Sequence, residues 1–268
     1  MKTFSLLLLL ALISCGPVKI KDFNDDYTQE LVGSVETITI QKHEYKFLKK
    51  DTINLVTTSF LNYDKGNKLI SEKHQTANGS RETFFKYQED LLIQKQIISK
   101  NDTSSIVYKY DKERNVTEEI ATNKNGIYNV KTVVFDKYHN PIELHNQFKE
   151  KIKQSVFIDY DYKRKSFLSK SVLDTIATLE IVTKNDFNKR GFITKRQRIA
   201  SSSNAKYYSY EFDKKGNLTS KIYHKGDGTI IEIITFKNTY DKVGNIISRE
   251  RYLVNKMIDK TTYHITYY

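Results

Sequence analysis

The chain lacks most of what commonly staples or catalyses. It has one cysteine in 268 residues, two prolines, two methionines and no tryptophan. The cysteine is Cys15, so nothing after it can build a disulfide framework, offer a thiolate nucleophile or supply thiolate metal ligands. The fold must hold by burial and backbone pairing. Catalytic signatures are missing too: there is no Gly-x-Ser-x-Gly elbow, no His-Glu-x-x-His helix, no phosphate-cradling glycine loop and no Asp-x-Asp-x-Asp-Gly calcium loop. These absences argue against a familiar enzyme and for a chain with no cofactor and no metal.

What is present is aromatic, polar and basic. Nineteen Tyr and fourteen Phe against two Pro is not a disordered composition, even at a mean hydropathy of -0.58. Aromatic and β-branched residues at this density suggest strands. The net charge is +12, yet lysines recur singly or in pairs such as Lys49-Lys50. Lysines spread this way keep a sheet soluble and discourage edge pairing, and they give no nucleic-acid signature.

The first fifteen residues read MKTFSLLLLLALISC: one lysine, an apolar run from Phe4 to Ile13 relieved only by Ser5, then Leu12-Ile13-Ser14-Cys15. The run is too short for a hydrocarbon core of about 30 Å, which needs roughly 20 residues, and it has the basic start and small-residue exit of a secretory signal. It resembles a bacterial, Bacteroidetes-type lipoprotein signal peptide ending in a lipobox. The resemblance implies that residues 1–14 are removed and that Cys15 carries the lipid, anchoring the chain to a membrane of the cell envelope. Gly16, and not Asp, follows Cys15, which in such families permits sorting to the outer membrane. Residues 15–33, of mixed polarity and little periodicity, read as a tether, and 34–268 as the folded domain.

Within that domain one phrase recurs: an aromatic, an Asp, a Lys, one or two variable residues, Gly-Asn or a relic of it, then an aliphatic. The clear copies are Tyr63-Asp64-Lys65-Gly66-Asn67, Tyr110-Asp111-Lys112 with Asn115, Phe212-Asp213-Lys214-Lys215-Gly216-Asn217 and Tyr240-Asp241-Lys242-Val243-Gly244-Asn245. Weaker copies begin at Phe135 and Phe187, and degraded ones at Tyr87 and Tyr160, so the leading aromatics step along the chain by 23 to 28 residues. Each phrase is a hairpin turn: Asp bonds the backbone two residues on, and Gly and Asn tolerate positive φ. Both flanks alternate with period two, and second polar turns such as Asn78-Gly79 and Gly226-Asp227-Gly228 lie midway between phrases. The phrases are similar to the tyrosine-aspartate (YD) repeats of the Rhs family over about Phe60 to Tyr252, without that family's large C-terminal segment.

The expected fold is all-β: a long, coiled antiparallel meander of about eight two-stranded repeats of about 25 residues, with two or three further strands between Val35 and Leu61. Sixteen strands laid open would extend on the order of 80 Å, and a twist of roughly 20 to 25° per strand would curl one Tyr-, Phe-, Leu- and Ile-rich face inward. The six histidines, His43, His74, His139, His145, His224 and His264, show no metal-ligand spacing. Asp51-Thr52-Ile53 and Asp174-Thr175-Ile176 resemble the O-glycosylation acceptor of Bacteroidetes exported proteins. The function expected is that of a non-enzymatic, membrane-anchored envelope lipoprotein binding or scaffolding an envelope protein or a glycan through a basic, tyrosine-rich sheet. The alternatives are an outer-membrane β-barrel, suggested by the strand number and the Tyr267-Tyr268 terminus but opposed by strand charges such as Lys221, Glu232 and Lys237, and an enzyme with an undetected site.

Overall fold

The computed structural model describes residues 18–21, 31–47, 52–148, 152–174, 179–199 and 206–268. Cys15, Asp51 and Thr175 lie outside them. Eighteen strands follow one another: β1 (Val35–Phe47), β2 (Thr52–Tyr63), β3 (Leu69–Thr76), β4 (Gly79–Gln88), β5 (Leu91–Ser99), β6 (Thr103–Tyr110), β7 (Val116–Asn123), β8 (Gly126–Phe135), β9 (Pro141–Phe148), β10 (Ile152–Asp161), β11 (Ser166–Asp174), β12 (Leu179–Phe187), β13 (Ile193–Ile199), β14 (Tyr207–Phe212), β15 (Leu218–His224), β16 (Ile230–Tyr240), β17 (Ile246–Leu253) and β18 (Lys256–Tyr267). Each pairs antiparallel with the next, as the repeat pattern requires.

The sheet does not stay open. β18 returns to pair with β1 from Val35 opposite Tyr267 to Glu44 opposite Asp259, while the other side of β1 pairs with β2. This corrects the open coiled meander: the chain is a closed, 18-stranded up-and-down barrel. The physical reason is edge satisfaction. An open sheet would leave the 13-residue β1 and the 12-residue β18 as two long unpaired edges, and joining them satisfies both rows of backbone groups. At the seam the Thr37 and Thr266 hydroxyls lie 2.7 Å apart.

Each strand comes within backbone contact of only its two neighbouring strands, and each cavity is lined by consecutive strands and not by opposite walls. With strands about 4.8 Å apart and tilted about 40°, eighteen of them close a circle roughly 36 Å across between backbones. The barrel is hollow.

A recurrent bulge sets which residues face inward. The register slips just before the leading aromatic at Tyr63, Tyr87, Tyr110, Phe135, Phe187, Phe212 and Tyr240. On the partner strand one residue is skipped, Ile70 opposite Tyr63 and Thr219 opposite Phe212, for example. The extra residue lets both the aromatic and the aliphatic after the turn point into the barrel. The degraded copy at Tyr160 has no slip: Tyr160 faces Phe167 and Asp161 faces Ser166 in unbroken register.

The result is an apolar ring inside one end of the barrel. Phe167, Phe187, Ile193, Tyr210, Leu218 and Phe236 form its buried core, with Tyr160, Tyr162 and Phe212 packed against it. The repeat's tyrosines therefore face inward and do not make an exposed outer groove. All eight repeat turns lie at this end, and the second set of turns lies at the other.

With the seam closed, Thr37→Cys with Thr266→Cys in a Cys15→Ser background will form a disulfide on mild oxidation and run as a compact species on a non-reducing gel. An open sheet would hold these positions far apart and give no such band.

Candidate functional site

Two features of the barrel can carry function: the rim made by the repeat turns and the wall of the lumen. The rim is built one Asp at a time. Asp64 Oδ1 accepts from the amides of Gly66 and Lys68, Asp111 from Glu113 and Asn115, Asp136 from Tyr138 and Asn140, and Asp241 from Val243, Gly244 and Asn245. Asn188 does the same in its turn, donated to by Arg190 and Phe192. Three residues after the Asp or Asn the backbone is left-handed, at Asn67, Arg114, His139, Gly191, Gly216 and Gly244. At Gly216 a side chain would also meet the Phe192 ring, 2.6 Å from the added carbon.

At four of the turns a tyrosine ties the turn to the one before it. Tyr87 donates to Leu69 O, Tyr110 to Leu92 O and Tyr160 to Pro141 O. At three turns a tyrosine takes the second Asp oxygen: Tyr240 reaches Asp213 at 2.6 Å, and Tyr162 and Tyr267 reach Asp136 and Asp241. Burial pulls the Asp213 carboxyl upward, but Tyr240 and the Asn217 amides outweigh it and hold it below its ordinary value. Asp111 is lowered chiefly by Asn115, and in Asp241 the Tyr267 hydroxyl and turn amides likewise overcome burial. Burial and the Asp213 bond push the Tyr240 hydroxyl up to about 12.

The repeat asparagines do something that turn geometry alone did not suggest. Asn140 and Asn245 are fully buried, and they grip the segment read from sequence as a tether. Asn140 accepts from the Ile20 amide and donates to Val18 O; Asn245 accepts from the Val32 amide and donates to Val32 O. Asn67 accepts from the Val35 amide and donates to Gly33 O. Lys21 adds a backbone bond to Gly191 O. Over its described residues this segment is a strap bound along the rim, with Ile20 packed on the apolar ring. Asn115 and Asn217 are spent locally instead, on Asp111 with His139 and on Asp213 with Tyr240.

Beyond the ring the lumen wall turns polar. A 570 Å³ cavity there is lined by Lys42, Glu44, Glu72, His74, Arg81, Arg249, Arg251 and Asp259, with Phe236 at its apolar side. Arg251 pairs with Asp259, Arg249 lies over the Phe236 ring, and Ser59 bonds His74. Burial raises the Asp259 carboxyl against the opposing pull of Arg251, Lys42 and Arg249. Farther round, Lys131 pairs with Glu119, and Tyr208 stacks on Tyr223 at 4.7 Å with Lys221 over Tyr208. Two of the strand charges that opposed a barrel, Lys221 and Glu232, thus face inward, where Tyr210 pairs with Lys221 and Tyr223 with Glu232. Lys237 is on the outer face, opposite Glu250.

The histidines do not converge. His74 faces the lumen and His139 sits in a rim turn, while His43, His145, His224 and His264 are on the outer wall. Among the described residues no three His, Cys, Asp or Glu side chains are placed to hold a metal ion. The arrangement offers charge, hydrogen bonds and aromatic faces to a solute.

Asn140→Ala or Asn245→Ala should each cost about 1 to 3 kcal/mol, because strap backbone groups lose buried partners. Amide exchange should accelerate first at Ile20 or Val32 respectively. The turn carboxyls give the pH dependence its sign. Groups held below their unfolded value contribute stability that is complete above about pH 4 and is lost as pH falls through the lowered folded value. Tyr240, raised to about 12, contributes stability that is complete below pH 10 and is lost as pH rises toward 12. Thermal midpoints should therefore fall on both flanks. Asp213→Asn should keep its turn, as Asn188 does, and flatten part of the acid flank.

No protein-family profile matches this chain, and no curated protein matches it. Among solved structures, a porin-like protein from Bacteroides uniformis is 12% identical, matched over 88% of this chain and 98% of its own with a TM-score of 0.47. One from Bacteroides vulgatus is also 12% identical, over 87% and 98%, at 0.40. The Tc holotoxin pore of Photorhabdus luminescens is 10% identical over 86% of this chain and 14% of its own, at 0.29. No residue role passes from these structures to this chain.

Proposed function

We propose that this chain is a non-enzymatic β-barrel of the outer membrane, held there by a lipid on Cys15, whose charged lumen binds a polar solute. The observation that carries the reading is the closure of the sheet around a wall lined with charge. Closure favours an outer-membrane barrel over an open scaffolding sheet, since a closed wall has an inside to use and no edges to offer.

The outer wall argues for a barrel seated at the membrane and not threaded through it. Spanning barrels present an apolar band about 25 Å tall to lipid, and Lys or Arg at mid-depth costs about 2 to 4 kcal/mol. Here cross-strand ion pairs stud the outward face: Lys73 with Glu82, Lys109 with Glu118, Lys170 with Glu180 and Lys260 with Glu250. Exposed apolar residues such as Phe84, Val107 and Phe157 are interleaved with these charges and form no continuous belt.

Inside, Lys and Arg outnumber the carboxylates around the cavity and along β5, β8, β13 and β15. The stacked Tyr208 and Tyr223 beside Lys221 suit the flat face of a sugar ring whose substituents carry negative charge. An acidic glycan is the occupant this lining favours.

The Cys15→Ser protein should leave the membrane fraction and remain soluble without detergent. Recovery in the pellet after carbonate washing would show strands embedded in lipid. The soluble protein should bind a uronic acid or sulfated oligosaccharide in preference to a neutral one, and Tyr208→Ala with Tyr223→Ala should weaken that binding severalfold. Equal binding of neutral and acidic sugars would remove the glycan proposal.

A further inference from the structure

Within the repeat phrase, almost every position has a structural duty. The aromatic and the aliphatic build the inner ring, the Asp makes the turn, the left-handed residue closes it, and Asn140, Asn245 and Asn67 hold the strap. The lysine after the Asp has little: among its copies only Lys137 lies over a ring, that of Tyr138. It recurs as Lys65, Lys112, Lys137, Lys214 and Lys242, and as Lys189 after Asn188, and all six are exposed at the tips of their turns. Lys163 stands two residues after Asp161 in the degraded copy and is exposed as well. Since every repeat turn lies at the same end, these lysines form a ring. Consecutive turns are two strands apart, which spaces the charges roughly 12 Å from one another around the rim.

The turn carboxylates sit behind this ring, half-buried with their oxygens directed at backbone amides and tyrosine hydroxyls, so the lysines are the more exposed charges of each turn. The one turn without a lysine at its tip, at Glu89-Asp90, is covered by its neighbours: Asp90 pairs with Lys68, and Arg114 donates to Glu89 O.

A second observation points to the same end. The strap begins at the rim, where Val18 O is held by Asn140. Val18 is three residue steps from Cys15, a reach of about 10 Å at full extension. A lipid on Cys15 therefore draws the bilayer against the repeat-turn end and not against the outer wall or the opposite end.

We infer that the repeat-turn end is a membrane-docking face, on which the ring of turn lysines engages the headgroups of an anionic lipid surface. The inference rests on the surface-seated reading above and deepens it by assigning an orientation. A planar array of anions matches point charges spread around a flat rim, whereas a linear polyanion would follow a groove. The opposite mouth then opens away from the membrane, leaving the charged lumen accessible from that side.

The test uses the Cys15→Ser chain, so that lipid attachment cannot contribute. Binding is measured by co-sedimentation with phosphatidylcholine vesicles and with vesicles containing 30% phosphatidylglycerol, a composition chosen to be roughly one-third anionic, at low and high salt. The protein should bind the anionic vesicles and not the neutral ones, with binding lost at high salt. Changing Lys65, Lys112, Lys137, Lys189, Lys214 and Lys242 to Gln should reduce binding at least tenfold, with thermal stability unchanged. Changing Lys100, Lys124, Lys225 and Lys256 at the opposite end to Gln should leave it within about twofold, as the smaller loss of general charge allows. Equal loss in both variants, binding to neutral vesicles, or absence of binding to anionic ones would overturn the docking face. Binding to a soluble polyanion but not to vesicles would overturn it in favour of a polymer ligand. Fatty-acid labelling of the wild-type chain, run in parallel, tests anchoring separately: its failure with the vesicle result intact would remove the lipid on Cys15 and leave the docking face.

Discussion

The hydrogen-bonded seam between β1 and β18 is the constraint on which the rest of the structure depends. In a solid domain, opposed layers bury one another and edge strands are a secondary concern. In this barrel each strand comes within backbone contact of only its two neighbouring strands, so burial between opposite walls contributes little. Pairing around the circumference has to supply the order that a packed core supplies elsewhere. Opening the seam would expose two edges of twelve and thirteen residues and also release the curvature that brings the inner ring together.

The repeat makes that curvature and then secures it. Each bulge adds a residue on the strand leaving the turn, bending the wall and turning an aliphatic inward beside the leading aromatic. The ring so formed is apolar at one end only, which leaves the middle of the lumen free to carry Lys42, Arg81, Arg249, Arg251 and Asp259. Tyrosine bonds at four of the turns, with the His139–Asn115 and Arg190–Lys214 O bonds at two others, tie neighbouring hairpin ends into a rim. The described parts of the strap add to it: residues 18–21 are held at the turn before β9 and residues 31–34 at the start of β1, their backbone groups paired by asparagine side chains where no strand is available.

Much of this was legible in the sequence, and the limits have physical causes. The hairpin unit, its turn chemistry and the antiparallel order follow from Asp, Gly and Asn at fixed places between period-two segments, and the 23- to 28-residue step gives the strand number closely. Closure was legible only as an alternative, from the strand number and the Tyr267-Tyr268 terminus, because β1 and β18 carry no pattern different from other strands. Whether two edges meet depends on accumulated tilt and bulges, not on local residue types. The asparagines were read as turn formers, a sufficient explanation for Asn67 at positive φ but not for Asn140 and Asn245, whose buried side chains face a strap lacking periodicity. Charge in the strands also misled. Lys221, Glu232 and Lys237 look alike in sequence, yet two line the lumen and one faces outward, and only the pairing register separates them.

A wall that is polar on both faces changes what a barrel can be. Lipid-facing barrels put their apolar residues outside and gain stability from the bilayer; here the apolar residues that recur in the repeat are turned inside, at one end. Such a wall gains nothing from insertion, because the outward Lys73, Glu82, Lys170 and Glu180 would have to give up water for hydrocarbon. It gains nothing from an edge either, having none. A barrel of this construction at a membrane needs an attachment outside its own wall, and with the proposed lipid on Cys15 the strap, bound to the rim by Asn140, would provide one. The same asparagine clamps that hold the strap to the rim would thus transmit any pull from the anchor into the linked turns, spreading the load over the part of the barrel with the densest hydrogen bonding.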